Sequence, residues 1–371
     1  MKEIGIYIHI PFCKSKCYYC DFTSYAGKEE KIEQYINKLI SDIDKCDKTG
    51  FNVKTIYIGG GTPSFISETY IEKIIQKIRE KFIVVQNPEI TIEANPGTLT
   101  REKLEKYYLV GINRLSIGLQ STDNNLLKSI GRIHTYEEFL ENYKLAREVG
   151  FKNINVDLIL GLPKQEEVKD IKVQVKEIID LNPEHISVYS LILEDNTKLK
   201  ELYDKGEIIL PEDEEERKMY WDVKNLLEEN GYIHYEISNY AKEGFYSKHN
   251  LDCWNQNEYL GFGAAAASYF NKERFVNPKT IEEYLQGKEA KIEEVQDKEA
   301  QAKEFMILGL RKIEGVSISA FERKFSINPL FYFRFEISKL TDEELIEVDL
   351  DAIKLTKKGL DLANIVWEEF I

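Results

Sequence analysis

Cysteine is scarce in this chain of 371 residues: there are five, and histidine is as rare with five. No run of about 18 apolar residues occurs, which excludes a membrane-spanning helix and leaves only peripheral association with a membrane open. The opening, Met-Lys-Glu-Ile-Gly, lacks the apolar run and small-residue cleavage site of a secretory signal, so a cytoplasmic location is expected, where disulfides are rare. Cationic excess is missing too. The 50 Lys and Arg against 65 Asp and Glu leave a net charge of −15, which offers nucleic acid no general footprint. There is no internal repeat and no low-complexity linker.

What is present is an alternation of β-branched runs with amphipathic segments. Ile4–Ile10, Thr55–Ile58, Glu89–Glu93, Arg114–Leu119, Asn155–Leu160 and His185–Leu191 read as buried strands. Glu29–Lys48, Ser67–Lys81, Thr100–Tyr108, Asp123–Ser129, Thr135–Val149 and Glu166–Ile179 read as helices, several opened by Ser, Thr or Asp at the N-cap. Such alternation predicts an α/β fold with a parallel sheet and right-handed crossovers. Six units are too few to close an eight-stranded barrel, so function is expected at the C-terminal strand ends of a partial one.

Those ends carry unusual residues. Three of the five cysteines, Cys13, Cys17 and Cys20, fall within eight residues after the first strand, in "YIHIPFCKSKCYYCDF". After the second strand comes "GGGTPS" with Gly60, Gly61 and Thr62, and after the third "EANPG" with Glu93. Consecutive glycines let backbone approach a ligand without interference from Cβ, and no Gly-Lys-Ser/Thr follows to make a phosphate loop. A Cys-x3-Cys-x2-Cys triplet suits zinc or an iron–sulfur cluster. Zinc usually takes four ligands in two separated pairs, and no second pair follows; three thiolates suit a cubane with one iron left open.

From about Glu194 the pattern changes. An acidic stretch, "PEDEEERKMY", opens a helix expected to run through Leu227, and Glu212–Glu216 reads as its solvated N-terminus. "YIHYEIS" reads as an extra strand, and from Ile281 the chain reads as largely helical and winged-helix-like. The expected division is 1–195 for the partial barrel, 196–285 for a connecting region and 286–371 for a C-terminal, mainly helical domain.

Cys-x3-Cys-x2-Cys after the first strand of an α/β barrel resembles the radical S-adenosylmethionine (SAM) enzymes. In that family a [4Fe–4S] cluster binds SAM at its open iron and cleaves it to a deoxyadenosyl radical. With "GINRLSIGLQS", "IGRIH", "DLILGLP" and "HNLDCWNQNEYLGFG" added, nearly the whole chain resembles the oxygen-independent coproporphyrinogen III oxidase family. The resemblance implies a partial (β/α)6 radical SAM barrel with a C-terminal domain like that of those oxidases. It assigns Cys13, Cys17 and Cys20 to the cluster. Gly60, Gly61 and Thr62 go to the cradle of the SAM amino group, and Glu93 to the methionyl or ribose end. Gln120 and Asp157 go to the ribose hydroxyls, Arg132 to the carboxylate, and Tyr7 to the neighbourhood of SAM, with a core aromatic as its plain alternative.

Two functions stay open on the sequence. The oxidases resemble one another in an N-terminal extension and a fourth cysteine soon after the triplet; here Asp21 and Phe22 follow Cys20. Both departures resemble the HemW-type branch, read as haem chaperones that pass haem to respiratory haem proteins. The alternative is oxidative decarboxylation of coproporphyrinogen propionates, so whether the chain is an enzyme stays undecided. Either use needs an electron donor and a haem or porphyrin partner. The HemW-type motif His-Asn-x-x-Tyr-Trp survives as His249, Asn250 and Trp254 with Cys253 in place of tyrosine. His249 is then the haem ligand, in a stretch that looks like loop, or it caps that loop. Cys253 is a second donor or a buried inert thiol, and Ala267 stands where relatives often place a histidine. Cys46 reads as packing, His185 and His234 as structural, and His134 as shaping the Arg132 loop. His9 is expected to face away from Tyr7.

Overall fold

The structure is a computed structural model that describes residues 2–48 and 50–371; Met1, which heads the N-terminal stretch read above, and Thr49 lie outside the described residues. Six parallel strands form its centre: β1 Glu3–Ile10, β2 Asn52–Gly60, β3 Ile83–Ala94, β4 Arg114–Gln120, β5 Ile154–Leu160 and β6 His185–Ser190. In β1, Ile4, Ile6, Ile8 and Ile10 are fully buried on one face, against the outer helices, while Gly5, Tyr7 and His9 fall on the other. Each crossover helix buries its own apolar stripe, such as Ile36, Leu39 and Ile43 of Ile32–Lys45 and Ile71, Ile74, Ile75 and Ile78 of Glu68–Lys81.

The segment after β6 extends this sheet at both edges. "YIHYEIS" forms a hairpin rather than a single strand, β7 Ile233–Glu236 and β8 Asn239–Ala241, with β8 antiparallel to β6. The chain then crosses to the opposite edge, where β9 Tyr259–Phe262 runs parallel to β1, followed by β10 Ala267–Phe270, β11 Glu273–Val276 and β12 Lys291–Val295. The result is one 12-stranded sheet ordered β12-β11-β10-β9-β1-β2-β3-β4-β5-β6-β8-β7. The helix expected over Glu166–Ile179 is broken into Gln165–Val168 and Ile171–Asp180, because the Asp170 carboxylate caps the second piece by accepting from Lys172 N at 2.7 Å.

The C-terminal region has its own apolar cluster around Met306, Phe321, Phe333 and Ile353. Its helices surround a three-stranded sheet, β13 Val316–Ser317, β14 Ile346–Val348 and β15 Ala352–Leu355, in the order β13-β15-β14. It is tied to the large sheet by backbone bonds from Ile313 N to Tyr235 O and from Ile237 N to Arg311 O. Trp221 Nε1 adds a bond to the Asp361 carboxylate.

Candidate functional site

The cysteine loop leaves β1 and returns to it. Cys13 N donates to Tyr25 O and Tyr25 N donates to Pro11 O, so the residues between are pinched into an excursion over the C-terminal strand ends. Thr62 Oγ1 donates to Cys13 Sγ at 3.5 Å, Arg132 Nη1 donates to Cys17 Sγ at 3.4 Å, and Ser24 Oγ lies 4.0 Å from Cys20 Sγ. All three cysteines line one open-mouthed cavity of about 470 Å3. Burial pushes the thiols of Cys13 and Cys20 up. Among the described residues, no three Cys, His, Asp or Glu side chains converge on a single ion. In a cubane each thiolate takes a different iron, so its ligands ring a space rather than meet at a point.

The rest of this cavity is polar and comes from successive strands: Gly60, Gly61 and Thr62 at the end of β2, Glu93 and Gln120 at the ends of β3 and β4, and Asp157 from the middle of β5, with Arg132 beside them. Gly61 has to be glycine, because a Cβ there would lie 2.9 Å from both Cys13 Sγ and Phe12 O. Gly60, at φ +113°, has a His9 ring carbon 2.7 Å from where its Cβ would stand. Glu93 Oε1 accepts from Tyr57 Oη at 2.8 Å and Oε2 from Gly60 N at 3.1 Å. Burial, and then Asp157, push Glu93 up to about 7. Asn95 accepts from Arg132 Nη2 at 2.9 Å and donates to Thr62 Oγ1 at 2.9 Å, joining the arginine to the glycine turn. Gln120 is held at φ +74°, and its buried Oε1, like Arg132 Nε, has no partner. Orphaned polar atoms in a cavity wall are what a polar ligand satisfies.

Asp157 heads a buried chain of hydrogen bonds. Its Oδ1 accepts from Asn155 Nδ2 at 2.7 Å, Asn155 Oδ1 lies 2.6 Å from His185 Nδ1, and His185 Nε2 lies 2.7 Å from Tyr235 Oη. His185 is therefore structural, as expected. His134, whose Nε2 lies 3.2 Å from Leu119 O, packs behind Arg132, and Cys46 packs against the core.

A second cavity adjoins the first and contains about 540 Å3, lined by Tyr7, Tyr57, Tyr259, Phe22, His249 and Cys253 among others. His249 is not on a loop. It lies in a helix, Lys248–Trp254, capped by Ser247 Oγ, and is only 6% exposed. The helix is docked on the sheet by the Glu89 carboxylate, in the middle of β3, which accepts from Lys248 N and His249 N, each at 3.0 Å. His249 Nδ1 lies 2.8 Å from Thr55 Oγ1, and its ring stacks on Tyr57 with centroids 5.2 Å apart. Burial, and then Arg114, lower its pKa to about 4, so the imidazole is neutral at physiological pH.

Tyr7 falls in this second cavity, not with the predicted SAM residues. Its hydroxyl lies 2.9 Å from His9 Nδ1, which overturns the expectation that His9 faces away from it: residues two apart on a strand share a face. Cys253, four residues after His249, lines the same cavity, and burial pushes its thiol up to about 12. Ala267 also lines it. Trp254 is not among the lining residues; the Arg311 guanidinium stacks on its ring at 4.4 Å. The sequence reading missed Tyr57, Asn95 and Arg114. Tyr57 was signalled by alternation with Thr55 and Gly59 on β2, and Asn95 by its place in "EANPG".

A family model described as the Radical SAM superfamily matches residues 7–172, and a HemN C-terminal domain model matches residues 296–362. A protein of Lactococcus lactis subsp. lactis named "Heme chaperone HemW" is 38% identical, with the alignment covering 100% of this chain and 98% of that one. The chain belongs to the HemW family. A Bacillus subtilis relative with the same name is 39% identical over 98% of both chains. The solved structure of the Escherichia coli radical SAM enzyme HemN, named a coproporphyrinogen III oxidase, superposes with a TM-score of 0.85 over 100% of this chain and 90% of that one, at 23% identity. That likeness establishes the radical SAM α/β fold. Membership of the superfamily implies SAM and a [4Fe–4S] cluster, and of the eleven residues expected at them ten line the first cavity, Tyr7 being the exception.

Proposed function

We propose that the protein is a haem chaperone that binds haem in the His249 cavity and passes it to haem-accepting proteins of respiration. Cys13, Cys17 and Cys20 hold a [4Fe–4S] cluster in the first cavity, reduced by an electron donor. There Gly60, Gly61, Thr62, Glu93, Gln120, Arg132 and Asp157 hold SAM. The protein works in the cytoplasm; no helix among the described residues is long and apolar enough to cross a membrane.

The observation that carries this reading is the state of His249. Its Nδ1 is engaged by Thr55, its ring is neutral, and it borders a cavity walled by four aromatic rings. A neutral imidazole oriented through one nitrogen presents the other to a metal, and flat aromatic walls suit a porphyrin. The names of the HemW relatives support the same reading. The likeness to HemN is one of fold and does not carry decarboxylation with it.

Anaerobically reconstituted protein should take up hemin with a saturable Soret band and release it to an apo haem protein, while coproporphyrinogen III stays unconverted in the presence of SAM and reductant. In His249→Ala the Soret band should shift or vanish with the cluster iron unchanged. Cys253→Ala should leave the band in place, because a thiol held protonated is a poor ligand. Identical haem spectra and affinity in wild type and His249→Ala would overturn the reading; turnover of coproporphyrinogen III would favour the oxidase alternative.

A further inference from the structure

Tyr57 touches the central group of each cavity. Its hydroxyl donates to Glu93 Oε1 at 2.8 Å in the first, and its ring stacks on His249 in the second at 5.2 Å and an interplanar angle of 30°. It also stacks on Tyr7 of the neighbouring strand, at 6.3 Å and 30°. There is little slack in the arrangement: a Cβ on Gly59 would lie 3.0 Å from both the Glu93 carboxyl and the Tyr57 ring. Asp21 and Phe22, directly after Cys20, line both cavities, so the two adjoin there as well.

Resting on the function proposed above, we propose that Tyr57 is a positioning residue that couples the two cavities, so that SAM in the first tightens haem binding in the second. An ammonium group presented to Glu93 keeps that carboxylate charged, and a hydrogen bond to a charged acceptor is roughly twice as strong as one to a neutral acceptor. Tyr57 is then held by its hydroxyl, and its ring is fixed against His249 before haem arrives. Without the ligand, the Glu93 carboxyl titrates near neutral pH, and the tie is weaker. Ordering a binding group in advance removes part of the cost of binding. Thermodynamic linkage makes the effect reciprocal: haem tightens SAM by the same factor.

The test is a pair of titrations on the anaerobically reconstituted, cluster-containing protein. Hemin is titrated with and without SAM, following the Soret band, and SAM is measured by equilibrium dialysis with and without hemin. In the wild type SAM should tighten hemin binding by about five- to tenfold, hemin should tighten SAM equally, and SAM should shift the Soret maximum of the haem-loaded protein. In Tyr57→Phe, which retains a stacking ring and loses the hydroxyl, both ratios should fall to about one and the Soret shift should vanish. The ratio is the deciding readout, because a purely structural defect weakens each ligand alone without changing it. A wild-type ratio of one with both ligands bound, or an unchanged ratio in Tyr57→Phe, would overturn the coupling. A wild type with no saturable hemin binding would sink the chaperone reading, and the coupling with it.

Discussion

Glu93 shows at the scale of one residue how a binding group costs stability. Burial raises its carboxyl to about 7 from an ordinary 4.5, so the folded chain holds a proton that the unfolded chain has released. Stability from that group is complete below pH 4.5 and is lost as pH rises through 7. Glu93→Gln should therefore raise the melting temperature of the ligand-free protein at pH 8, by the equivalent of about 1–3 kcal/mol. The same change should weaken SAM. Because a cationic ligand must displace the Glu93 proton, wild-type SAM affinity should climb between pH 5.5 and 7, by up to about tenfold per unit at the acid end, and be nearly flat in Glu93→Gln. A flat wild-type profile from equilibrium dialysis would remove Glu93 from the ligand's contacts.

At the scale of an element, the helix Lys248–Trp254 is too short to be stable by itself and depends on its ends. Ser247 Oγ accepts from Asn250 N at 3.5 Å, and the Glu89 carboxylate takes the first two helical N–H groups. Losing a serine cap typically costs about 1 kcal/mol. Ser247→Ala should thus lower global stability by about that amount in urea denaturation, and it should loosen hemin severalfold by disordering His249 while leaving cluster iron untouched. Unaltered hemin affinity in a destabilised Ser247→Ala protein would separate the cap from the site.

The whole molecule has five histidines, and all five are buried with lowered pKa values: His9, His134, His185, His234 and His249. Burial is the leading cause at each. A histidine whose folded pKa lies below its unfolded 6.5 resists protonation, so its contribution is intact above pH 6.5 and is lost as pH falls below it. His234 and His249, each at about 4, should cost about 2 kcal/mol apiece at pH 5. The raised carboxyls of Glu93, Asp157 and Glu236 oppose this only in part. The melting temperature of the ligand-free protein should fall steeply from pH 6.5 to 5, and a level or rising profile over that window would contradict it.

Much of the site was legible in the sequence because its information is local. The cysteine triplet, the glycine turn, Glu93 and Gln120 each sit at a strand end, where parallel strands bring them to one rim, and Asp157 marks itself as a carboxylate in the middle of an apolar strand. The six strands followed from β-branched runs for the same reason. His249 was misread as lying on a loop because a seven-residue helix has too few turns for an apolar period, and the Glu89 carboxylate that docks it is 160 residues away in sequence. Alternation along β1 and β2 was sufficient to put Tyr7 with His9 and Tyr57 with Thr55. It was not sufficient to show that Tyr57 stands between two cavities, because that depends on which strands are neighbours and on where the chain crosses from β8 to β9. By itself the sequence determined the strand–helix order and the rim of the first cavity, since both arise from contacts between residues close along the chain or at equivalent strand ends. Only the tertiary structure decided the second cavity, because its walls come from β1, β2, β9, β10, the loop after Cys20 and a helix more than 200 residues further along the chain.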